Sequence, residues 1–290
     1  MEMNPLEAGT GRKKVALVIG SGGAKCAAAL GLWQVLQEEG IQISMAVGSS
    51  GGSIYAAAIS LGFDLHTTEE LTLSLWTRDL MEGYATNLRR AMTGEARFNE
   101  SSGLIDDGPL TERLRQAFGA ASFNDARIPL YIVSTDFYTG ESVVHDDGPV
   151  LDALRASIAI PMIIPPWQVG DRLLVDGAVS DPLPVDVAIK EGAQVILAMG
   201  FELPIRKRMR SYTAVTTHLN SLYMNNILKS TFAFHNLAHH AEVVLLLPEL
   251  DPAIGAFSAE QFPTVIAEGA RSAREQLPYL RRLLSTQPVD

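Results

Sequence analysis

The sequence predicts an α/β protein with a mostly parallel central sheet, and three observations carry that prediction. Over residues 15–58 the chain runs apolar stretch, Gly-rich loop, helical pattern, second apolar stretch, Gly-rich turn, second helical pattern, which is the order of a repeated strand–helix unit. Its apolar runs, such as Val15–Ile19 and the one within Gln194–Met199, are continuous instead of alternating, as expected of strands covered on both faces. Hydrophobic residues make up 47% of the chain and charged residues 19%, enough for a large buried core and too apolar for extended disorder.

Composition also removes several functions. A net charge of −10 argues against nucleic acid, whose phosphates are held by Lys and Arg, and against adhesion to anionic membranes by charge alone. Cys26 is the only cysteine, which rules out an internal disulfide and a cysteine metal cluster. Met1–Lys14 is polar and lacks the apolar core of a signal peptide, and no uninterrupted apolar stretch reaches the ~18 residues that span a bilayer. The expectation is a soluble, cytoplasmic protein.

Taken in order, residues 1–14 read as a flexible N-terminal tail and 15–290 as a single domain, since neither repeat nor linker interrupts that stretch. Strand Val15–Ile19 enters the loop Gly20-Ser21-Gly22-Gly23-Ala24-Lys25, and Ala27–Glu39 is a helix stopped at Gly40. The apolar run Ile43–Val47 then meets Gly48-Ser49-Ser50-Gly51-Gly52, a Gly-x-Ser-x-Gly turn followed at once by the small-residue helix Ser53-Ile54-Tyr55-Ala56-Ala57-Ala58. Strand, sharp turn and helix in that order are the setting of a nucleophile elbow, in which the turn holds the serine out at the carboxyl end of the sheet. From Thr67 to Gly119 the pattern is helical, with helices expected at Glu69–Ala91 and Pro109–Phe118. The polar stretch Gly94–Gly108 between them makes 66–108 either a lid or an ordinary connection. Leu130–Thr135 and Glu141–His145 pair as a hairpin around Tyr138-Thr139-Gly140, Val150–Ser157 is a short helix ended by Pro161, and Arg172–Val175 is a strand abutting Asp176-Gly177-Ala178. A helix at Pro184–Glu191, a strand at Gln194–Met199, a long helix from Tyr212 to Ala241, a strand at Val243–Leu247 and a terminal helix Ala259–Leu284 complete the chain. Arg206-Lys207-Arg208-Met209-Arg210 is a basic island, read as a solvated loop or as a contact for lipid phosphates.

Three stretches carry chemistry. The loop at Gly20–Lys25 is a poor nucleotide site, because Lys25 stands where a dinucleotide fingerprint needs its third glycine and no acid closes the next strand. It is better suited to offering the backbone N–H groups of Gly22, Gly23 and Ala24 to an oxyanion beside Ser50, each donor commonly worth about 3 kcal/mol. Ser50 needs a base. The histidines after Asp176 are His218, His235, His239 and His240, all inside a helical pattern and none in a loop after a late strand. His235 and His239 have i,i+4 spacing but no Glu follows the first, so no metal is expected. Asp176, at the carboxyl end of a strand and next to Gly177, is the better partner, and as a weak base it requires a desolvated pocket.

Together, Gly20-Ser21-Gly22-Gly23-Ala24-Lys25, Gly48-x-Ser50-x-Gly52 and Asp176-Gly177-Ala178 resemble the patatin-like phospholipases, in which a Ser–Asp dyad cleaves acyl esters without histidine. The resemblance extends to Arg155-Ala156-Ser157-x-Ala159-Ile160-Pro161 and Asp181-Pro182-Leu183-Pro184-Val185, covering roughly Val15 to Gly200, with Ile254–Arg274 also similar. It implies a three-layer α/β/α sandwich, Ser50 as nucleophile, Asp176 as base, the Gly22–Ala24 amides as oxyanion hole, and Gly48, Gly52, Lys25 and Gly177 as supporting positions. It implies a lipid or acyl-ester substrate; no cofactor and, given the net charge, no nucleic acid are expected, while transient contact with a membrane or micelle surface is. The sequence departs from the family's loop at Ser21 and Cys26, which stand where glycines are usual, and a thiol there is expected to crowd the oxyanion hole or alter substrate fit. The expected activity is acyl-ester hydrolysis of phospholipase A, lysophospholipase or esterase type; the alternatives are a Ser-Asp-His hydrolase and a weakly active scaffold that binds lipid or protein.

Overall fold

The structure, a computed structural model, describes residues 13–205, 207–238, 241–251, 254 and 261–285. Most of the expected N-terminal tail, Arg206 of the basic island, His239, His240 and the first residues of the expected terminal helix lie outside these.

Among the described residues, one eight-stranded sheet collects every strand: β1 (Val15–Ile19), β2 (Met45–Ser49), β3 (Leu130–Asp136), β4 (Ser142–His145), β5 (Trp167–Val169), β6 (Arg172–Asp176), β7 (Val195–Met199) and β8 (Glu242–Leu246). Its order is β5-β6-β3-β2-β1-β7-β8, with β4 paired to β3. The five strands β3, β2, β1, β7 and β8 run parallel, while β4, β5 and β6 join by antiparallel pairing. Helices cover both faces, so the three-layer α/β/α expectation holds. On one face Leu17, Ile19, Ala46 and Ile132 pack among α1 (Ala28–Glu38), α2 (Gly51–Leu61), α6 (Val150–Ser157) and α9 (Phe262–Leu284). On the other, Ala16, Val18, Val47 and Val133 meet α7 (Val185–Lys190) and Leu228 of α8 (Tyr212–Ala238). Alternate residues of one strand thus serve two cores, which is why the central strands read as unbroken apolar runs.

The chain departs from the sequence expectations in three places. The helix expected over Glu69–Ala91 is two, α3 (Leu65–Leu75) and α4 (Tyr84–Met92), separated by a 3₁₀ turn at Arg78–Met81. Trp76 is drawn into the core at the break, Glu82 is extended and Gly83 adopts φ 78°, a conformation open to glycine that starts a new helix direction. Second, β5 is an addition to the expected strands; it is three residues long, follows two prolines and forms only because Gly170, at φ 58°, turns the chain back to pair Trp167–Val169 with β6. Third, a 3₁₀ turn at Gly23–Ala27 precedes α1, so the loop residues assigned to oxyanion binding lie in a tight turn instead of an open loop.

Close backbone approaches hold the layers together. Helices α1 and α9 cross at Gly31 and Gly269, where a Cβ on either would lie 1.9 Å from a carbonyl oxygen, Ile266 O and Ala28 O respectively. Helix α5 (Gly108–Phe118) is clamped to α6 by Arg155, a fully buried guanidinium that ion-pairs with Asp107, donates from Nε to Thr111 Oγ1 at 3.1 Å and from Nη2 to Pro165 O at 3.0 Å, and stacks 4.9 Å from the Trp167 ring centroid.

Candidate active site

Consecutive residues of β3 bring the site together. Ser49, at the end of β2, registers with Val133, and Asp176, at the end of β6, registers with Ser134. Two strand ends that are 127 residues apart in sequence therefore finish side by side. Ser50 follows Ser49 with φ 53° and ψ −133°, one of two non-glycine residues with positive φ among the described residues, so the turn holds this serine in a strained conformation. Glycines make the bend tight: a Cβ at Gly48 would lie 2.4 Å from Ser53 Cα, one at Gly52 2.2 Å from Ile19 O, and one at Gly177 2.2 Å from Val133 O.

Ser50 Oγ donates to Asp176 Oδ2 at 2.7 Å. The acid is fixed at every other polar atom: Oδ1 accepts from the Ala178 N–H at 2.8 Å, its N–H donates to Ala159 O at 2.9 Å, and its carbonyl accepts from Thr135 Oγ1 at 2.9 Å. Burial leaves Asp176 3% exposed and pushes its carboxyl up to about 7, the hydrogen bonds from Ser50 and Ala178 opposing that rise. The carboxyl is thus desolvated, and its pKa is raised from the usual carboxylate range towards neutrality.

On the opposite side of Ser50 lies the glycine loop. Gly20 N–H donates to Met199 O at 2.9 Å and Ser21 N–H to Pro182 O at 2.8 Å, tying the loop to β7 and to the segment after β6. Gly22, Gly23 and Ala24 open the 3₁₀ turn, and their N–H groups form no intramolecular hydrogen bond among the described residues. The loop presses on the elbow: a Cβ at Gly51 would lie 2.7 Å from Gly23 O and 3.0 Å from Gly23 N. The unpaired donors of the loop and the N-terminus of α2 thus lie against each other beside Ser50, and helix N-termini favour negative charge. Lys25 does not face it; its Nζ donates to Glu202 O at 3.2 Å. The Cys26 thiol is fully buried and points back to Gly20 O at 3.3 Å, so it braces the loop from behind and burial pushes its pKa up.

Two residues carry no functional mark in the sequence and gain one in the fold. Ser157 Oγ accepts the Ser50 N–H at 2.9 Å and donates to Val133 O at 2.7 Å, bridging elbow, α6 and β3. Its only sequence signal is its place in the Arg155–Pro161 stretch. Ser157→Ala strands the buried Ser50 N–H, at a cost of about 1–3 kcal/mol, and a drop of several degrees in Tm together with a lower kcat is the expected result of thermal melts and ester assays. Gly51 is a variable position of the Gly-x-Ser-x-Gly turn, yet it is where the two loops touch. No histidine bonds Ser50 Oγ or Asp176 among the described residues; His145 pairs through Nε2 with Ser134 Oγ at 2.7 Å. His218 lies on α8, and nothing is described of the His235 side chain. Nor does any group of three or more His, Cys, Asp or Glu side chains among them have the arrangement of a metal site.

The patatin-like phospholipase model matches residues 17–189, which take in the elbow, the glycine loop and Asp176. The chain belongs to the patatin-like phospholipase family. Among its relatives, an uncharacterised NTE family protein of Mycobacterium tuberculosis is 30% identical over 234 residues, covering 79% of this chain and 60% of that protein. A patatin-like phospholipase domain-containing protein of Caenorhabditis elegans is 31% identical over 63% of this chain and 13% of its own length. The chain thus spans less than two thirds of these relatives. In structure it is similar to VipD from Legionella pneumophila, with a TM-score of 0.51 and 14% identity over 93% of this chain and 67% of that one, a likeness of fold. As a patatin-like chain it carries Ser21 and Cys26 at its glycine loop. No helix among the described residues is long and apolar enough to cross a membrane.

Proposed function

We propose that this protein is a serine acyl hydrolase of lipid esters working through a Ser50–Asp176 dyad. The observation that carries the reading is the 2.7 Å hydrogen bond from Ser50 Oγ to the buried Asp176 carboxylate, opposite the unpaired N–H groups of Gly22–Ala24. Asp176 takes the Ser50 proton as Oγ attacks the ester carbonyl. The glycine-loop amides meet the tetrahedral oxyanion, and its collapse releases the alcohol, which leaves with the proton from Asp176. Asp176 then deprotonates a water that attacks the acyl-Ser50 ester, and the carboxylic acid departs as Ser50 recovers its proton. No histidine is required, because burial has already raised the carboxyl to the range where it exchanges protons near neutral pH. Membership of the patatin-like family supports lipid esters as the substrate class.

Labelling with a fluorophosphonate, read by mass spectrometry, tests the nucleophile. Modification confined to Ser50 in the folded wild type and lost in Ser50→Ala is expected; a wild type that stays unlabelled and does not hydrolyse medium-chain p-nitrophenyl esters overturns the enzyme reading in favour of a binding scaffold.

A further inference from the structure

Helix α4 has no buried residue, although an apolar stripe runs along it through Tyr84, Leu88 and Met92 at i, i+4 and i+8. Tyr84 touches the core at its edge; Leu88 and Met92 lie outside it, Met92 is 66% exposed, and the stripe lines an open groove of about 490 Å³. The surrounding charge is opposite to that of the whole chain: between Tyr84 and Phe98 the stretch carries Arg89, Arg90 and Arg97 against Glu95 alone, in a protein of net charge −10. Arg89 is paired with Glu95 at 2.8 Å, while Arg90 and Arg97 form no ion pair among the described residues. A short helix with an apolar stripe and arginines on its other faces has the make-up of one that lies in a bilayer interface.

The helix is wired to the site. Asn87 Nδ2 donates to Leu104 O at 3.0 Å, Leu104 N–H donates to Met162 O at 3.0 Å, and three residues before Met162 the Ala159 carbonyl holds the Asp176 N–H. Met162 has φ 67° and a side chain 63% exposed. A large apolar residue is there held in a strained conformation that turns it to solvent, and such outliers gather at functional surfaces.

We propose that α4 and Met162 form the face by which this protein seats on an anionic lipid bilayer, with Leu88, Met92 and Met162 entering the acyl boundary and Arg90 and Arg97 meeting lipid phosphates. The proposal rests on the lipid-ester reading for its purpose, since docking there places the rim of the Ser50 site against its substrate. It also explains how an acidic protein is held: the contact is local, and apolar insertion supplies what net charge opposes.

Flotation of the full chain with phosphatidylcholine vesicles, with and without phosphatidylglycerol, tests it. Wild type and Ser50→Ala are expected to float with the anionic vesicles, and added salt to weaken the binding. Arg90→Glu should weaken it roughly fivefold or more and Leu88→Asp or Met92→Glu at least about tenfold, with unchanged melting and unchanged turnover of soluble p-nitrophenyl butyrate. Variants that float like wild type, binding indifferent to phosphatidylglycerol, or stripe variants that instead split a dimer in light scattering each overturn the docking face. The two readings separate: flotation without ester turnover sinks the hydrolase and leaves the docking face standing, whereas turnover without flotation does the reverse.

Discussion

Asp176→Asn is expected to lower kcat/KM for p-nitrophenyl esters by about 10³-fold, the range lost when a positioned general base is removed. Asparagine keeps the shape and can still accept from the Ala178 N–H, so the loss reports proton transfer and not collapse of the site. Ser50→Ala should cost at least as much, and the double variant little more than either alone, because the two groups act as one unit. The wild-type pH profile carries the same information. With the Asp176 carboxyl near 7, the fraction able to accept the Ser50 proton falls about tenfold per pH unit below that point, so kcat/KM should rise with slope one and level off above about pH 7.

Stability moves the other way. Burial raises the folded carboxyl from 3.8 to about 7, so between these values the native state binds more protons than the unfolded chain and wild-type stability falls as pH rises through the window. Asparagine carries no such charge. The Asp176→Asn variant is therefore expected to melt higher than wild type at pH 8 and to lose that advantage towards pH 4. Equal melting temperatures at pH 8 would falsify the account of Asp176 as a carboxylate held ionised against its surroundings.

Gly31→Ala should destabilise the protein by roughly 3 kcal/mol, although alanine is the better helix former by about 1 kcal/mol at an interior position. The added Cβ on α1 would sit 1.9 Å from Ile266 O and 2.6 Å from Ala270 N of α9, and these are backbone atoms that cannot swing aside. In a chain of this size the change corresponds to a fall of about 6–12 °C in Tm. A gain in Tm would mean that α1 and α9 do not cross as closely as described.

Much of the site is legible in the sequence because its parts announce themselves locally. Gly48-x-Ser50-x-Gly52 reads as an elbow since only small residues survive a turn in which a Cβ would overlap Ile19 O or Ser53 Cα, and the glycine loop and Asp176-Gly177 are marked by the same crowding. Ser157 is hidden because a serine at a helix end is unremarkable until β3 is beside it. Cys26 differs from expectation in direction: its position in the loop is plain in the sequence, but which way the thiol points depends on how the 3₁₀ turn rolls it towards Gly20 O. The break between α3 and α4 is signalled by Gly83 and masked by the helical pattern around it, and β5 is too short to register without its partner strand.

By itself, then, the sequence determined the alternation of strands and helices in the parallel core and marked the Gly48–Gly52 turn, the glycine loop and Asp176-Gly177 as candidates, each of which rests on residue types within a few positions of one another. Only the tertiary structure decided that Ser50 and Asp176 stand 2.7 Å apart, that the acid is dry enough to titrate near 7, and that α4 keeps an apolar stripe with nothing packed on it among the described residues. The reason is that register and desolvation are properties of contacts between distant segments. Val133 and Ser134 place two strand ends on adjacent rungs, and neither residue carries any mark of that duty in its own neighbourhood.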